Sequence, residues 1–250
     1  MINGKRILAV IPARGGSVRF PNKNLALLDG KPLVCWAVEA ALAYKKDGWV
    51  DNIYVTSDSD AVLAAISKYP IGYERRPAAL AKGEPGSSVR TWQNLWNWVQ
   101  DNTGPYDYSI LLEPTCPLRT SSNVFDCIRE AMLDRKYAHI VGTISQLPDR
   151  FRTAKLLLAD NEISFIEPLS NYQVDLTTFD SNFVAYFNGA CYAAAAPAIL
   201  NMESPQLNCG VLCTNKLVNI DYPEDLEEAE MILHYCGFDL GRWQHHDSSN

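Results

Sequence analysis

The densest concentration of chemistry-bearing residues lies at 11–25, IPARGGSVRFPNKNL, where two adjacent glycines, two arginines and a lysine follow an apolar run. Gly15 and Gly16 bare the backbone so that N–H groups can approach an anion, and Arg14, Arg19 and Lys23 supply positive charge. The stretch is neither the GxxxxGK[ST] phosphate loop nor the GxGxxG dinucleotide fingerprint. Its position directly behind a strand favours a small-anion site over a merely solvated basic loop. Two acidic stretches also stand out. VTSDSD (55–60) has the spacing of a DxD metal motif, but its aspartate and serines read more plainly as caps of the helix that follows. DYPE (221–224) reads as a capping box, with Asp221 as N-cap, Pro223 in the first turn and Glu224 at the third helical position.

The rest of the composition limits the partners. The chain has 250 residues, 47% of them apolar, enough for one large domain over 1–250 with a full core. Acidic residues outnumber basic ones 29 to 22, for a formal charge of -7. That argues against nucleic acid, which needs a broad basic surface, and leaves room for a local basic pocket. The seven cysteines are scattered without a CxxC pair, and no histidine lies near Cys209 and Cys213, so reduced thiols in a cytoplasmic protein are expected. No secretory leader pattern opens the sequence and no apolar run is long enough to span a bilayer, so no membrane partner is expected.

Strands and helices alternate around these residues. KRILAVIPA (5–13) has strand length and ends at the glycines. KPLVCWAVEAALAYKK (31–46) carries a helical stripe of Leu33, Trp36, Ala37, Ala40 and Ala41. DNIYVTSD (51–58) reads as a strand, and SDAVLAAISKY (59–69) as a helix capped near Asp58 or Ser59. SSVRTWQNLWNWVQ (87–100) is a helix with Trp92, Leu95, Trp96 and Val99 on one face. YDYSILLEPT (106–115), HIVGTIS (139–145), FNGACYAAA (187–195) and KLVNID (216–221) have strand character. SSNVFDCIREAML (121–133) and YPEDLEEAEMILHYC (222–236) read as helices. The alternation predicts an α/β fold, a three-layer α/β/α Rossmann-like arrangement on a mostly parallel sheet. The polar, aromatic stretch at about 146–186 breaks the rhythm and reads as an insertion or lid. Ligands of such sheets sit beyond the carboxyl ends of the strands, in the loops singled out above.

Taken in order, IPARGGSVRFPNKNLALLDGKPLVCWAVEAA, VTSDSD, RRPAALA with SSV, LLEPTCPLR, FNGACY and NIDYPEDLEEAE resemble the signatures of the acylneuraminate cytidylyltransferases, including those acting on pseudaminic and legionaminic acids. The resemblance implies an enzyme of the nucleotidyltransferase fold, a homodimer. It would join CMP from CTP to a nine-carbon 2-keto-3-deoxy acid sugar, with Mg²⁺ as cofactor. It further implies nucleotide contacts at Ala13, Arg14, Gly15, Gly16, Asn24, Arg76 and Ser87 or Ser88, with Arg14, Lys23 and Asp221 as catalytic residues. Sugar contacts would fall to Glu113, Arg119 and Asn188, and metal binding to Asp221 and, weakly, Asn219. In-line attack on a phosphate loads charge onto its oxygens, which such cations would stabilise.

Three departures from the family pattern bear on this. Val18 replaces the usual lysine after GGS, with Arg19 next. Glu113 replaces a common glutamine, and Asn219 an expected aspartate. A carboxylate at 113 is costly beside anionic substrates unless paired, for which Arg119 is a candidate, or unless a sugar donor meets it. Asp221 keeps both readings, helix cap and metal ligand. A catalytically weak relative that binds CTP or CMP as a sensor or partner subunit is the alternative, and a CMP-Kdo-type synthetase another.

Overall fold

The apolar run before the glycine loop forms strand β1, Ile7–Pro12, third among the seven strands of the sheet that the described residues form in the computed structural model. The structure describes residues 2–17, 19–81, 87–133, 140–146, 185–200, 207–213 and 216–235. After β1 come a two-residue hairpin, β2 (Leu27–Leu28) and β3 (Lys31–Pro32), then α1 (Leu33–Lys46), β4 (Asn52–Ser57), α2 (Asp60–Ile66) and β5 (Gly72–Arg75). Next follow α3 (Ser87–Thr103), β6 (Tyr108–Leu111), α4 (Ser121–Met132) and β7 (Ile140–Gln146). The described part of the chain closes with β8 (Ala185–Ala195), α5 (Ala196–Leu200), β9 (Leu207–Leu212) and α6 (Pro223–Tyr235). The strand order is β5-β4-β1-β6-β8-β7-β9. Only β8 runs against its neighbours, so the expectation of a mostly parallel three-layer α/β fold holds.

Alternation along β1 shows how one strand feeds two cores. Ile7, Ala9 and Ile11 join a cluster with α1, α2, α4 and α6, while Leu8 and Val10 join Trp92, Leu95, Trp96 and Val99 of α3. A strand buried on both faces needs a continuous apolar run, which is what residues 7–11 are. The α3 stripe packs as its spacing predicts, and truncating a tryptophan such as Trp96 there would cost about 3–5 kcal/mol. Trp92 satisfies its indole by donating to Ser109 Oγ at 2.8 Å. The β2–β3 hairpin turns on Asp29 and Gly30, both at positive φ, the Asp-Gly pair that a tight hairpin turn favours.

The excursion expected at about 146–186 falls between two strands that pair antiparallel, with Gln146 opposite Ala185. Its ends therefore lie side by side in the sheet, and residues 147–184 lie outside the described residues. KLVNID is not a strand. Residues 216–220 run irregularly, held by Ile220 N donating to Thr115 O at 2.7 Å, while the edge strand β9 lies earlier in the chain. The apolar alternation of KLVNI serves burial instead, with Val218 and Ile220 in the core. The described cysteines 35, 116, 127, 191 and 213 are free thiols. Burial pushes Cys116 up to about 12 and Cys213 to about 11, so neither is an activated nucleophile. No helix among the described residues is long and apolar enough to cross a membrane.

Candidate functional site

The loop after β1 is tied down on both sides. Ala13 N donates to Thr56 O at 3.0 Å, Gly15 N to Asp58 Oδ1 at 2.8 Å, and Asn24 Nδ2 to Arg14 O at 2.8 Å. A Cβ on Gly15 would lie 2.8 Å from Ser59 Cβ, too close for any other residue, because the loop packs onto the start of α2. Gly15 thus spends its N–H on Asp58 rather than on an anion. Gly16 is exposed, with nothing within 4 Å of where its Cβ would be. In VTSDSD, Ser59 caps α2 by accepting from Val62 N, as its spacing suggests, and Asp58 holds the neighbouring loop.

Together the strand-end loops enclose a cavity of about 290 Å³, near the lower end for small-molecule sites. Arg14, Arg19, Lys23 and Arg76 line it, facing Glu113 and Asp221. Four cations against two carboxylates suit an anionic ligand. Arg76, 6% exposed, is placed by its backbone N donating to Ser57 O and its Nη2 donating to Thr56 O at 3.0 Å. Its Nε is buried without a partner. Burial loosens its hold on its proton, Asp58 and Glu74 oppose this, and Arg14 adds to it. Thr91, on α3, also lines the cavity with a buried hydroxyl that has no partner. Ser87 and Ser88 open α3 one turn earlier, and their side chains lie outside the described residues.

Asp221 shows the main local difference from the sequence reading. Helix α6 starts at Pro223, so Asp221 stands one residue ahead of the N-cap position. Asp225 does the capping instead, its carboxylate accepting from Asp221 N and Tyr222 N, both at 2.8 Å. The Asp221 carboxylate turns into the cavity, where Lys23 Nζ donates to Oδ1 at 2.7 Å and Arg19 Nη2 lies 3.3 Å from Oδ2. Arg19 also sits over the Tyr222 ring, 5.4 Å from its centroid.

Glu113 and Thr115, behind β6, form the opposite wall. Burial raises the Glu113 carboxyl above its usual range, and Lys23 and Arg119 pull it back. Arg119 does not pair with this carboxylate. Fully buried, it donates from Nη2 to the main-chain carbonyl of Glu113, and its Nε and Nη1 have no partner. Asn188 is likewise absent from the cavity lining. Its amide is spent inside the sheet, accepting from Thr143 Oγ1 at 2.7 Å and Ala190 N at 3.0 Å and donating to Ser145 Oγ at 2.9 Å. Of the three expected sugar contacts Glu113 lines the cavity, and Arg119 and Asn188 do not. They sit beneath it, one holding the Glu113 main chain and the other joining β7 to β8.

Of the residues singled out by sequence, the cavity gathers Arg14, Arg19, Lys23, Asn24, Arg76, Glu113, Asn219 and Asp221. Ser17, Thr91 and Thr115 line it without having been expected. Thr91 could have been found one turn beyond the SSV start of α3, and Thr115 two residues beyond Glu113. Gly189, at φ +76°, was also missed, and the Asn188-Gly189 pair was the available signal. For a metal, no group of three His, Cys, Asp or Glu stands close enough among the described residues. The cavity does hold hard oxygen donors in Asp221, Glu113 and the Asn219 amide, and Gly189 leaves space where a Cβ would approach Glu113 and Asn219. That donor set fits Mg²⁺, which takes one or two carboxylates and keeps its waters.

The cytidylyltransferase family model matches residues 8–86, the stretch carrying the basic loop and Arg76. The N-acylneuraminate cytidylyltransferase of Escherichia coli is 28% identical over 191 residues, 76% of this chain, which spans only 42% of that protein's length. The CMP-N,N'-diacetyllegionaminic acid synthase of Legionella pneumophila is 26% identical over 91% of this chain and 96% of its own. In fold, the solved CMP:2-keto-3-deoxy-manno-octonic acid synthetase complexed with CTP aligns with a TM-score of 0.62 at 16% identity, over 91% of this chain and 98% of that one. Residues 8–86 thus match the cytidylyltransferase family model, and most of the chain is similar to an N-acylneuraminate cytidylyltransferase and a CMP-N,N'-diacetyllegionaminic acid synthase.

Proposed function

We propose that the chain activates a nine-carbon 2-keto-3-deoxy acid sugar with CTP, giving the CMP-sugar and pyrophosphate. The observation that carries this reading is the cavity with Arg14, Arg19, Lys23 and Arg76 on its walls and Asp221 among them. In the reaction the sugar's anomeric hydroxyl oxygen forms a bond to the α-phosphorus, the bond from that phosphorus to the bridging oxygen breaks, and the hydroxyl proton is released. Charge grows on the phosphate oxygens, and fixed cations in a partly dry site stabilise it without reorganising. Arg14 and Lys23 hold the triphosphate, and the unpartnered Nε of Arg76 offers a further donor to the nucleotide. Ser87 or Ser88 at the start of α3, with Thr91, lines the nucleotide side. Glu113 lies towards the sugar, with Arg119 and Asn188 bracing that wall from below. A divalent cation, held through Asp221, would supply charge neutralisation at the phosphates.

A second reading, a weak relative that only binds CTP or CMP, is motivated by Asn219, where the expected aspartate charge is gone. Pyrophosphate release from CTP with N-acetylneuraminic, legionaminic, pseudaminic and Kdo acids decides between them. Release with a nine-carbon acid supports the synthetase, and release with Kdo alone moves it to the eight-carbon class. CTP binding with no release for any acid leaves the sensor reading.

The free thiols suit a reducing compartment, so we assign the enzyme to the cytoplasm. We also propose a homodimer with the 146–186 excursion in its interface. The aromatic and apolar residues there, Phe151, Phe165, Ile166, Tyr172, Phe179 and Phe183, with Tyr186 at the start of β8, are too many for an ordinary solvated loop. Light scattering at micromolar concentration should give twice the chain mass, and a monomer would sink the assignment.

A further inference from the structure

Two departures from the family pattern meet in space. Asn219 lacks the charge of the expected aspartate, and Glu113 carries one where a neutral glutamine is common. They come from different loops, yet a Cβ on Gly189 would lie 3.4 Å from Glu113 Oε2 and 4.0 Å from Asn219 Cγ. The glycine's φ of +76° and its missing side chain keep that space open between the two. Among the described residues the Glu113 carboxylate has no ion pair within 4 Å, and its one hydrogen-bond partner is the Thr115 hydroxyl, at 3.5 Å. Asp221, by contrast, is engaged by Lys23 and Arg19. Two nearly fully buried polar atoms without partners, Thr91 Oγ1 and Arg76 Nε, belong to residues of the same cavity, so it presents unspent donors as well as an unspent carboxylate.

We propose that Glu113 is the second carboxylate ligand of the divalent cation, taking over the charge that position 219 has lost. The inference rests on the nucleotidyl-transfer reading above. A buried carboxylate with no direct ion pair in a cavity built for a polyanion is costly, and a divalent ion between it and the phosphates removes that cost. Mg²⁺ asks for one or two protein carboxylates, so Glu113 and Asp221 suffice, with Asn219 left as a neutral neighbour. The donor set keeps its charge and changes its place.

The test is Mn²⁺ binding to the full chain with CTP present, read by electron paramagnetic resonance, for wild type, Glu113→Gln, Asn219→Asp and the double variant. Glu113→Gln should weaken Mn²⁺ binding at least about tenfold, since even outer partners of metal ligands are worth that much. Adding Asn219→Asp should bring it back to within about threefold of wild type, because the carboxylate returns to the other side of the same gap. Asn219→Asp alone should tighten Mn²⁺, which keeps the idea testable should Glu113→Gln fold poorly. Wild-type affinity in Glu113→Gln overturns the proposal, as does a double variant no better than the single or an Asn219→Asp with unchanged affinity. If Glu113→Gln holds Mn²⁺ normally but shifts the preference among keto-acid sugars, Glu113 serves the sugar and the proposal is wrong. The deciding readout is Mn²⁺ affinity rather than turnover, so an enzyme inactive on every sugar tried still answers this question, and that inactivity would count against the synthetase reading alone.

Discussion

Asp221→Asn separates what this residue does for the fold from what it does for the reaction. Its carboxylate meets Lys23 Nζ at 2.7 Å and Arg19 Nη2 at 3.3 Å, with side-chain exposures of 29%, 15% and 56% respectively. The Arg19 pair is largely solvated and the Lys23 pair partly buried. Exposed pairs are worth about 0.2–1 kcal/mol, and asparagine still accepts from Lys23 through its amide oxygen. The Lys23 pair therefore represents at most about 1 kcal/mol of stability, and the solvated Arg19 pair adds little. For a chain of 250 residues that lowers Tm by about 2–4 °C. No helix cap is lost, because Asp225 serves α6. Turnover should fall far more, at least about a hundredfold or some 2.7 kcal/mol, because an amide is a poor partner for a divalent ion. CTP binding without metal should move the other way and tighten a fewfold, since four cavity cations then face one carboxylate fewer. Pyrophosphate release across a Mg²⁺ titration, thermal melting and CTP titration in chelator measure the three quantities. An active Asp221→Asn enzyme with unchanged Mg²⁺ dependence would refute the argument and leave Asp221 as a tether for Lys23.

Arg14→Ala and Lys23→Ala should each lower kcat/KM for CTP at least about tenfold with little change in melting, as expected for lost charge-assisted phosphate contacts; wild-type kinetics in both would make the loop mere surface. Gly189→Ala should cost about 1 kcal/mol or more in backbone strain at φ +76° and reduce turnover, because the new methyl lies 3.4 Å from Glu113 Oε2; unchanged Tm and activity would show the cradle to be irrelevant. Asp107 ties the starts of β1 and β6, accepting from Arg6 N at 2.9 Å and Lys5 Nζ at 3.0 Å, and the Arg6 hydrogen bond, then Lys5, holds its carboxyl below the usual range. A depressed carboxyl stabilises the fold above its unfolded pKa and loses that effect as pH falls through the folded one. Asp107→Ala should therefore melt below wild type at pH 7, and the gap should close on acidification below about pH 4. A gap independent of pH would refute it.

How much was legible in the sequence follows from what each feature depends on. The runs at 7–12 and 87–100 declare themselves because one strand buries both faces and one helix buries a stripe, and both patterns are written along a single segment. The basic loop was legible for the same reason, its glycines and cations lying within one short stretch. The use of each group was harder to read. Gly15 N is taken by Asp58 and the Asn188 amide by Thr143 and Ser145, partners 43 to 45 residues away that no local pattern names. KLVNI alternates like a strand, but a single hydrogen bond from Ile220 to Thr115 and the burial of Val218 and Ile220 are all that the alternation serves.

Asp221 shows how fine the margin is. DYPE and YPED both offer a carboxylate near a helix start, and sequence alone places the cap at the first. A start at Pro223 hands the cap to Asp225. In a helix each residue turns the side-chain direction by about a hundred degrees, so a shift of one position redirects a carboxylate entirely. Here it takes Asp221 off the backbone N–H groups of α6 and sets it against Lys23, which is reached only because the loop after β1 and the segment before α6 end on the same edge of the sheet. The two residues that carry most of the proposed chemistry are thus brought together by topology, while the residue that frees one of them for it is a neighbouring aspartate four positions on.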